Sequence, residues 1–136
     1  MKKISAWIVD DEINAQTFIK GIIDEYCSEV EVIGTSSSAD DAYIDIKKNK
    51  PQIVYLDINI PRGSGISILE MFPVRKFEVI VISAYSYNEK KIKQFRDVPF
   101  LLKPISIDIF IEITKIAIEG IKRDPNKVHR YKLLDS

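Results

Sequence analysis

The chain has 136 residues, 46% hydrophobic and 29% charged, which fits one globular domain and argues against disordered, fibrous and membrane classes. Twenty basic residues balance twenty acidic ones, so net charge gives no support to wholesale binding of nucleic acid or an anionic membrane. Cys27 and His129 are the single cysteine and histidine, which excludes an internal disulfide and argues against histidine-based acid–base chemistry or zinc binding.

Apolar runs alternate with amphipathic segments from the start of the chain. Ile4 to Val9 is a short apolar run closed by acids, which predicts a strand buried on both faces. Asn14 is predicted to cap a first helix with the buried face Phe18, Ile19, Ile22, Ile23 and Tyr26. Val30 to Thr35 is a second strand, and Ser38, followed by Asp41, is typical of the capped start of a second helix.

The middle of the chain continues the alternation. A third strand over Ile53 to Leu56 ends at Asp57, and a loop rich in turn residues leads to a short third helix near Ile66 to Phe72. Phe77 to Ile82 contains four consecutive aliphatic residues, as a central parallel strand requires. Ser83 ends that fourth strand.

The last third holds a weak helix and a strong one. Between Asn88 and Arg96 the sequence is mostly polar, so a fourth helix there is thinly anchored and should be the most mobile element. Phe100 to Leu102 is a fifth strand. Ser106 is predicted to cap a last helix that ends at Asp124 and buries the stripe Ile109, Phe110, Ile113, Ile116 and Ala117.

Strands alternating with helices predict a doubly wound α/β fold, with a five-stranded parallel sheet in the flavodoxin-like order 2-1-3-4-5 and helices on both faces. We expect residues 1–124 to form this domain and residues 125–136 to be a tail or linker. The early apolar run is too short for a signal peptide, and no stretch is long enough to span a membrane.

Polar residues follow the strands at the end where ligands bind in such sheets. They are Asp10 and Asp11 after the first strand, Asp57 after the third, Ser83 after the fourth and Lys103 after the fifth. Three converging carboxylates repel one another unless a hard cation lies between them, and Mg²⁺ prefers oxygen ligands. A carboxylate can also attack phosphorus to give an acyl phosphate.

These segments resemble the receiver domains of two-component response regulators. Val9-Asp10-Asp11-Glu12 is similar to the acidic pair of that family, and Leu56-Asp57-Ile58-Asn59-Ile60-Pro61, with Gly65, is similar to its phosphoacceptor loop. Ser83-Ala84 resembles its hydroxyl-small pair and Leu102-Lys103-Pro104 its lysine-proline step. The resemblance covers the chain from the first strand to the end of the last helix.

The resemblance implies a role for each matching residue. Asp57 would be the phosphorylated nucleophile, Asp10 and Asp11 would bind Mg²⁺ with Asp57, and Asn59 would add its backbone carbonyl as a ligand. Ser83 and Lys103 would contact the phosphoryl group, and the Lys103-Pro104 bond would be cis.

Two aromatic residues match positions of the family's switch. Phe100 corresponds to the aromatic switch residue, which would move inward as Ser83 turns to the phosphoryl group. Tyr85, two positions after Ser83, would lie beside the path by which water reaches the acyl phosphate. Packing of Tyr85 on the fourth helix is the alternative interpretation.

The implied protein is a cytoplasmic signalling switch that catalyses only its own phosphotransfer and dephosphorylation. Its partners would be a sensor histidine kinase or phosphotransfer protein, a second copy bound through the fourth and last helices, and a DNA-binding effector domain absent from this chain. Residues 83–85 and 101–105 are also reminiscent of receivers that precede LytTR-type domains.

Other interpretations stay open. Taken singly, Asp10 and Asp11 could be acids favouring a helix N-terminus, and Lys103 a surface charge. The domain could be an interaction module that is never phosphorylated, or an aspartate-nucleophile phosphohydrolase. The second alternative needs an acid two residues after Asp57, where this chain has Asn59. The third and fourth helices also look short for the family.

Overall fold

The structure is a computed structural model that describes residues 2–86, 88–95 and 98–130. The strands are β1 (Ile4–Val9), β2 (Val30–Ser36), β3 (Ile53–Asp57), β4 (Val74–Arg75), β5 (Glu78–Ser83), β6 (Phe100–Leu102) and β7 (His129–Arg130). The helices are α1 (Ile13–Tyr26), α2 (Ala39–Asn49), α3 (Gly65–Met71), α4 (Asn88–Ile92) and α5 (Ile107–Arg123).

Five of the strands form one parallel sheet in the order β2-β1-β3-β5-β6. Because β4 belongs to a separate small sheet, this is the order predicted as 2-1-3-4-5, and the predicted fold class is confirmed. The order reverses between β1 and β3, so the carboxyl ends of these two strands flank the crevice where open α/β sheets bind ligands.

Both faces of the sheet are covered by helices, which explains why its central strands read as unbroken apolar runs. On one face α1 and α5 bury Ile19, Ile23 and Phe110 against β1, β3 and β5. On the other, α2, α3 and α4 pack their apolar residues against Trp7, Val9, Val54, Leu56, Val79 and Val81. These two layers hold the strand ends at fixed positions.

The caps predicted for α2 and α5 are confirmed. The Oγ atoms of Ser38 and Ser106 accept from the backbone N–H of Asp41 and Ile109, respectively. The cap predicted for α1 is wrong, because the helix begins at Ile13 with Glu12 at its N-cap and Asn14 already inside the first turn.

Four residues predicted to be buried lie at the surface. Phe18 and Tyr26 on α1 and Ile109 and Ile116 on α5 are each about half exposed or more. Helical spacing gave these helices an apolar stripe wider than the strip of surface that the sheet covers. Each helix therefore buries only the central part of its apolar stripe against the sheet.

The segment after α5 continues onto the body of the domain. β7 pairs antiparallel with β4, so that Val74 lies opposite Arg130 and Arg75 opposite His129. His129 is buried, and its Nε2 lies 3.3 Å from Glu78 Oε2. Residues 131–136 of the predicted tail lie outside the described residues, as does Arg96 of the predicted fourth helix.

Within the ranges that the structure describes, we find no helix both long and apolar enough to cross a membrane.

Candidate functional site

Two buried carboxylates stand at the switch point of the sheet. Asp10 follows β1 and Asp57 ends β3, and both side chains are almost fully buried. Each is held by a backbone donor two residues later. Glu12 N–H donates to Asp10 Oδ1 and Asn59 N–H donates to Asp57 Oδ1, both at 2.9 Å. These bonds fix the direction of both carboxylates.

Lys103, which follows β6, joins the two acids. Its Nζ lies 3.1 Å from Asp10 Oδ2 and 3.1 Å from Asp57 Oδ2. The Lys103-Pro104 peptide bond is cis, as predicted. The ammonium group therefore neutralises part of the negative charge that the two buried acids concentrate.

Burial and charge shift the ionisation of this trio. Burial raises the pKa of Asp57, and the nearby Asp10 adds to this, while the Asn59 N–H and Lys103 act in the opposite direction. For Lys103, burial acts to lower the pKa, but the hydrogen bonds and charges of Asp57 and Asp10 outweigh it, and the pKa is raised. Lys103 therefore remains a cation at neutral pH.

A third acid completes the group. Asp11 is exposed, and one carboxylate oxygen from each of Asp10, Asp11 and Asp57 lies within 4.8 Å of the others. Hard divalent cations prefer such oxygen donors. The donor set is therefore suited to Mg²⁺, with two buried ligands and one that faces solvent.

A second polar group lies around Ser83, at the end of β5. Tyr85 N–H donates to Ser83 Oγ at 3.0 Å, and Asn88 Nδ2 donates to it at 2.8 Å. Asn88 Nδ2 also donates to Asn59 Oδ1 at 3.1 Å. Because Asn59 N–H contacts Asp57, this network runs from the phosphoacceptor candidate to the first residue of α4.

Sequence reasoning missed Asn88. Asn88 lies in a mostly polar segment, yet the residue is only 2% exposed. An asparagine soon after the hydroxyl residue, at the start of a weak helix, is the signal that could have drawn attention to it.

The two predicted aromatic switch residues differ in burial. Phe100 is half-buried in β6 opposite Val81, and it packs against the core layer beneath α2, α3 and α4. Tyr85 is 49% exposed in the loop after β5. Phe100 is thus part of the edge strand of the sheet, whereas Tyr85 borders solvent.

Similarity to known proteins shows the family of the chain. The family model described as response regulator receiver domain matches residues 6–115. The chain belongs to this family. As a receiver domain of two-component response regulators, it is a signalling domain, and the predicted family is confirmed.

Curated relatives are longer than this chain. A response regulatory protein of Shewanella oneidensis is 36% identical over 108 residues, which are 77% of this chain and 44% of the relative. The sensory transduction protein LytT of Bacillus anthracis is 30% identical over 110 residues, 79% of this chain and 44% of LytT. The chain thus spans less than half the length of these relatives.

A solved structure supports the fold. The response regulatory domain of protein mrkE from Klebsiella pneumoniae superimposes with a TM-score of 0.81 at 22% identity, covering 88% of this chain and 99% of that domain.

Proposed function

We propose that this receiver domain accepts a phosphoryl group on Asp57 in a Mg²⁺-dependent reaction. The observation that carries the proposal is the convergence of the Asp10, Asp11 and Asp57 oxygens beside the Lys103 ammonium. In phosphoryl transfer the protein acts mainly by positioning the groups and neutralising charge. This arrangement supplies both functions around one carboxylate.

The metal would be held by Asp10, Asp11 and Asp57, with the backbone carbonyl of Asn59 as a further ligand. When bound, Mg²⁺ supplies positive charge that lets an anionic donor approach the acids. This fit rests on three carboxylate oxygens within 4.8 Å of one another.

The residues of the chain would then share the chemistry. An Asp57 oxygen attacks phosphorus, forming the acyl phosphate O–P bond while the bond from phosphorus to the donor breaks. Lys103, now between Asp57 and Asp10, would pair with the phosphoryl oxygens, and the Ser83 hydroxyl would donate to one of them. Catalysis would extend only to the domain's own phosphorylation and dephosphorylation.

The acyl phosphate would act as a conformational signal. Movement of Ser83 would let Phe100 turn inward and shift the equilibrium of the segment that begins at Asn88. Two observations support this proposal: Phe100 is half-buried against the core layer that includes Ile92 and Phe95 of that segment, and Ser83 is bonded to its first residue.

The proposed partners follow from the family. A sensor histidine kinase or phosphotransfer protein in the cytoplasm would supply the phosphoryl group. A second copy, or a DNA-binding effector such as a LytTR-type domain, would receive the signal through α4 and α5. Exposed apolar side chains on α5 and β6 support a protein contact there, namely Leu102, Ile109 and Ile116.

The test is phosphorylation with a small donor. Wild-type chain, Asp57→Ala and the matched control Asp24→Ala, which changes an exposed aspartate of α1, are incubated with acetyl phosphate and either Mg²⁺ or a chelator. Intact-protein mass spectrometry should show a phosphoryl adduct in wild type and Asp24→Ala with Mg²⁺ only. An equal yield in Asp57→Ala would refute the assignment of Asp57, and no adduct in any chain would favour an inert interaction module.

A further inference from the structure

Asn88 is a buried polar residue that the proposed chemistry at Asp57 does not use directly. It is the first residue of α4, and the residue is only 2% exposed. Its Nδ2 group donates to Ser83 Oγ and to Asn59 Oδ1. One carboxamide thus bridges the hydroxyl residue of β5 and the loop that follows Asp57.

The hydrogen-bonding capacity of Ser83 shows how firmly it is held. A hydroxyl group offers one hydrogen and two lone pairs. The two short bonds of Ser83 Oγ are those in which it accepts, from Tyr85 N–H at 3.0 Å and Asn88 Nδ2 at 2.8 Å. As a donor to the described residues, Ser83 Oγ has only two long contacts, with Asn59 Oδ1 at 3.4 Å and Tyr85 O at 3.3 Å.

The Ser83 hydroxyl therefore donates only weakly, while its oxygen accepts two short hydrogen bonds from the segment after β5. Ser83 must move toward a phosphoryl group to donate its hydroxyl hydrogen to it. Either its hydrogen bond with Asn88 then breaks, or Asn88 moves with it. A buried carboxamide that loses an acceptor costs free energy. Movement of Ser83 is thereby coupled to the position of Asn88.

We propose that Asn88 is a positioning residue that acts as a latch. Its hydrogen bond holds Ser83 in the unphosphorylated arrangement, and breaking this bond releases the N-terminal end of α4. The inference rests on the proposed function, because it presumes that Ser83 turns to a phosphoryl group. Asn88 would thus help to set the equilibrium between the two positions of Ser83 before phosphorylation.

The weak anchoring of α4 makes this coupling effective. The helix has five residues, and apart from Asn88 it buries Ile92, with Phe95 just beyond it. An element with so few buried contacts can change position at a modest free-energy cost. Release of Asn88 therefore frees the N-terminal end of α4.

Titration with beryllofluoride at saturating Mg²⁺ tests the latch. Wild type, Asn88→Ala and the control Glu89→Ala, which changes an exposed neighbour on α4, are compared by calorimetry. Asn88→Ala removes the hydrogen bonds to Ser83 Oγ and Asn59 Oδ1. Loss of the bond to Ser83 from the resting state should raise the competent population, so the variant should bind beryllofluoride about fivefold more tightly. Glu89→Ala should bind as wild type does.

A double-mutant cycle separates the latch from a general packing effect. In a Ser83→Ala background there is no hydroxyl to hold, so Asn88→Ala should no longer tighten binding. Tight binding that persists in that background would overturn the proposal, as would unchanged or weaker binding of Asn88→Ala itself. If wild type binds no beryllofluoride, the proposed function fails and the inference fails with it.

A measurement on wild type keeps the test independent of the variants' folding. The side-chain amide resonances of Asn88 should shift when beryllofluoride and Mg²⁺ are added, and amide exchange at residues 88–92 should change with them. Side-chain resonances that stay fixed while beryllofluoride binds would overturn the latch and leave the proposed function standing.

Discussion

At the scale of single residues, the acid at the centre of the site works against the stability of the domain. Burial raises the pKa of Asp57, so the folded chain holds the Asp57 proton more tightly than the unfolded chain does. Protonation of Asp57 therefore contributes fully to the free energy of unfolding below the unfolded-state pKa. This contribution is lost as the pH rises through the folded-state pKa. Above the folded-state pKa, the ionised carboxylate lowers the free energy of unfolding.

Asp57→Asn should consequently stabilise the domain at pH 7 by about 1 kcal/mol, because the buried charge is removed while Lys103 keeps Asp10 as a partner. The gain should shrink as the pH is lowered. Urea unfolding of wild type and variant at several pH values measures it. Asp24→Asn, at an exposed site, is the control, and a less stable Asp57→Asn at pH 7 would contradict the argument.

At the scale of elements, the close approach of α3 to the loop after β3 depends on a missing side chain. A Cβ atom at Gly65 would lie 2.6 Å from the Asp57 carbonyl oxygen and 2.9 Å from Ile58 Cα. Gly65 N–H also donates to Ile58 O at 2.9 Å. These are backbone atoms, so an added methyl group must displace the end of β3 and the start of the loop after it, where Asp57 and Ile58 lie.

Gly65→Ala should therefore lower the free energy of unfolding by about 2 kcal/mol and slow phosphorylation of Asp57. Gly21→Ala is the matched control, because nothing lies within 4 Å of its added Cβ and the position is inside α1. Alanine there should stabilise the helix slightly. Chemical denaturation and acetyl phosphate kinetics of both variants measure the contrast, and equal behaviour would refute it.

Tyr85, in the loop between β5 and α4, is predicted to govern how long the proposed signal lasts. The ring of Tyr85 should exclude water from the acyl phosphate, and its hydroxyl is a poor base at neutral pH. We expect Tyr85→Ala to lose its phosphoryl group several-fold faster than wild type in excess Mg²⁺, as followed by mass spectrometry. Tyr26→Ala is the control, since Tyr26 is also 49% exposed but lies on α1. Equal or slower loss from Tyr85→Ala would mean that the ring does not shield the acyl phosphate from water.

At the scale of the whole molecule, the residues after α5 contribute to the body of the domain. β7 pairs with β4, and His129 is buried against Glu78. Arg75, opposite His129, is also buried and lies over the Phe77 ring. A domain that ended at residue 124, as predicted, would lack β7, and Arg75 and Glu78 would lose their contacts with His129.

A chain that ends at Asp124 should thus be less stable than one that ends at Arg130, by about 1 to 2 kcal/mol, since two paired residues and a buried side chain are lost. Thermal unfolding of the two chains, with His129→Gln in the longer one as a milder change, measures the difference. Equal stability of the two truncated chains would support the predicted boundary and the linker assignment.

The sequence by itself determined the fold and most of the candidate site. A parallel sheet covered on both faces needs unbroken apolar strands, so the first polar residue after each run marks a strand end. This pattern identifies Asp10, Asp57, Ser83 and Lys103. The alternation of strands with helices predicts a parallel sheet, in which the carboxyl ends of the strands lie at one edge. Each of these signals lies within a few neighbouring residues of the chain.

Only the tertiary structure decided which of these groups touch. Lys103 meets Asp10 across 93 positions of sequence and Asp57 across 46, and nothing in the local pattern indicates that one ammonium serves both acids. The burial of Asn88 likewise depends on where the loop after Asp57 places Asn59. Helical periodicity predicts that a face is apolar, but the width of the sheet beneath decides how much is covered, and Phe18 and Ile116 therefore stay exposed.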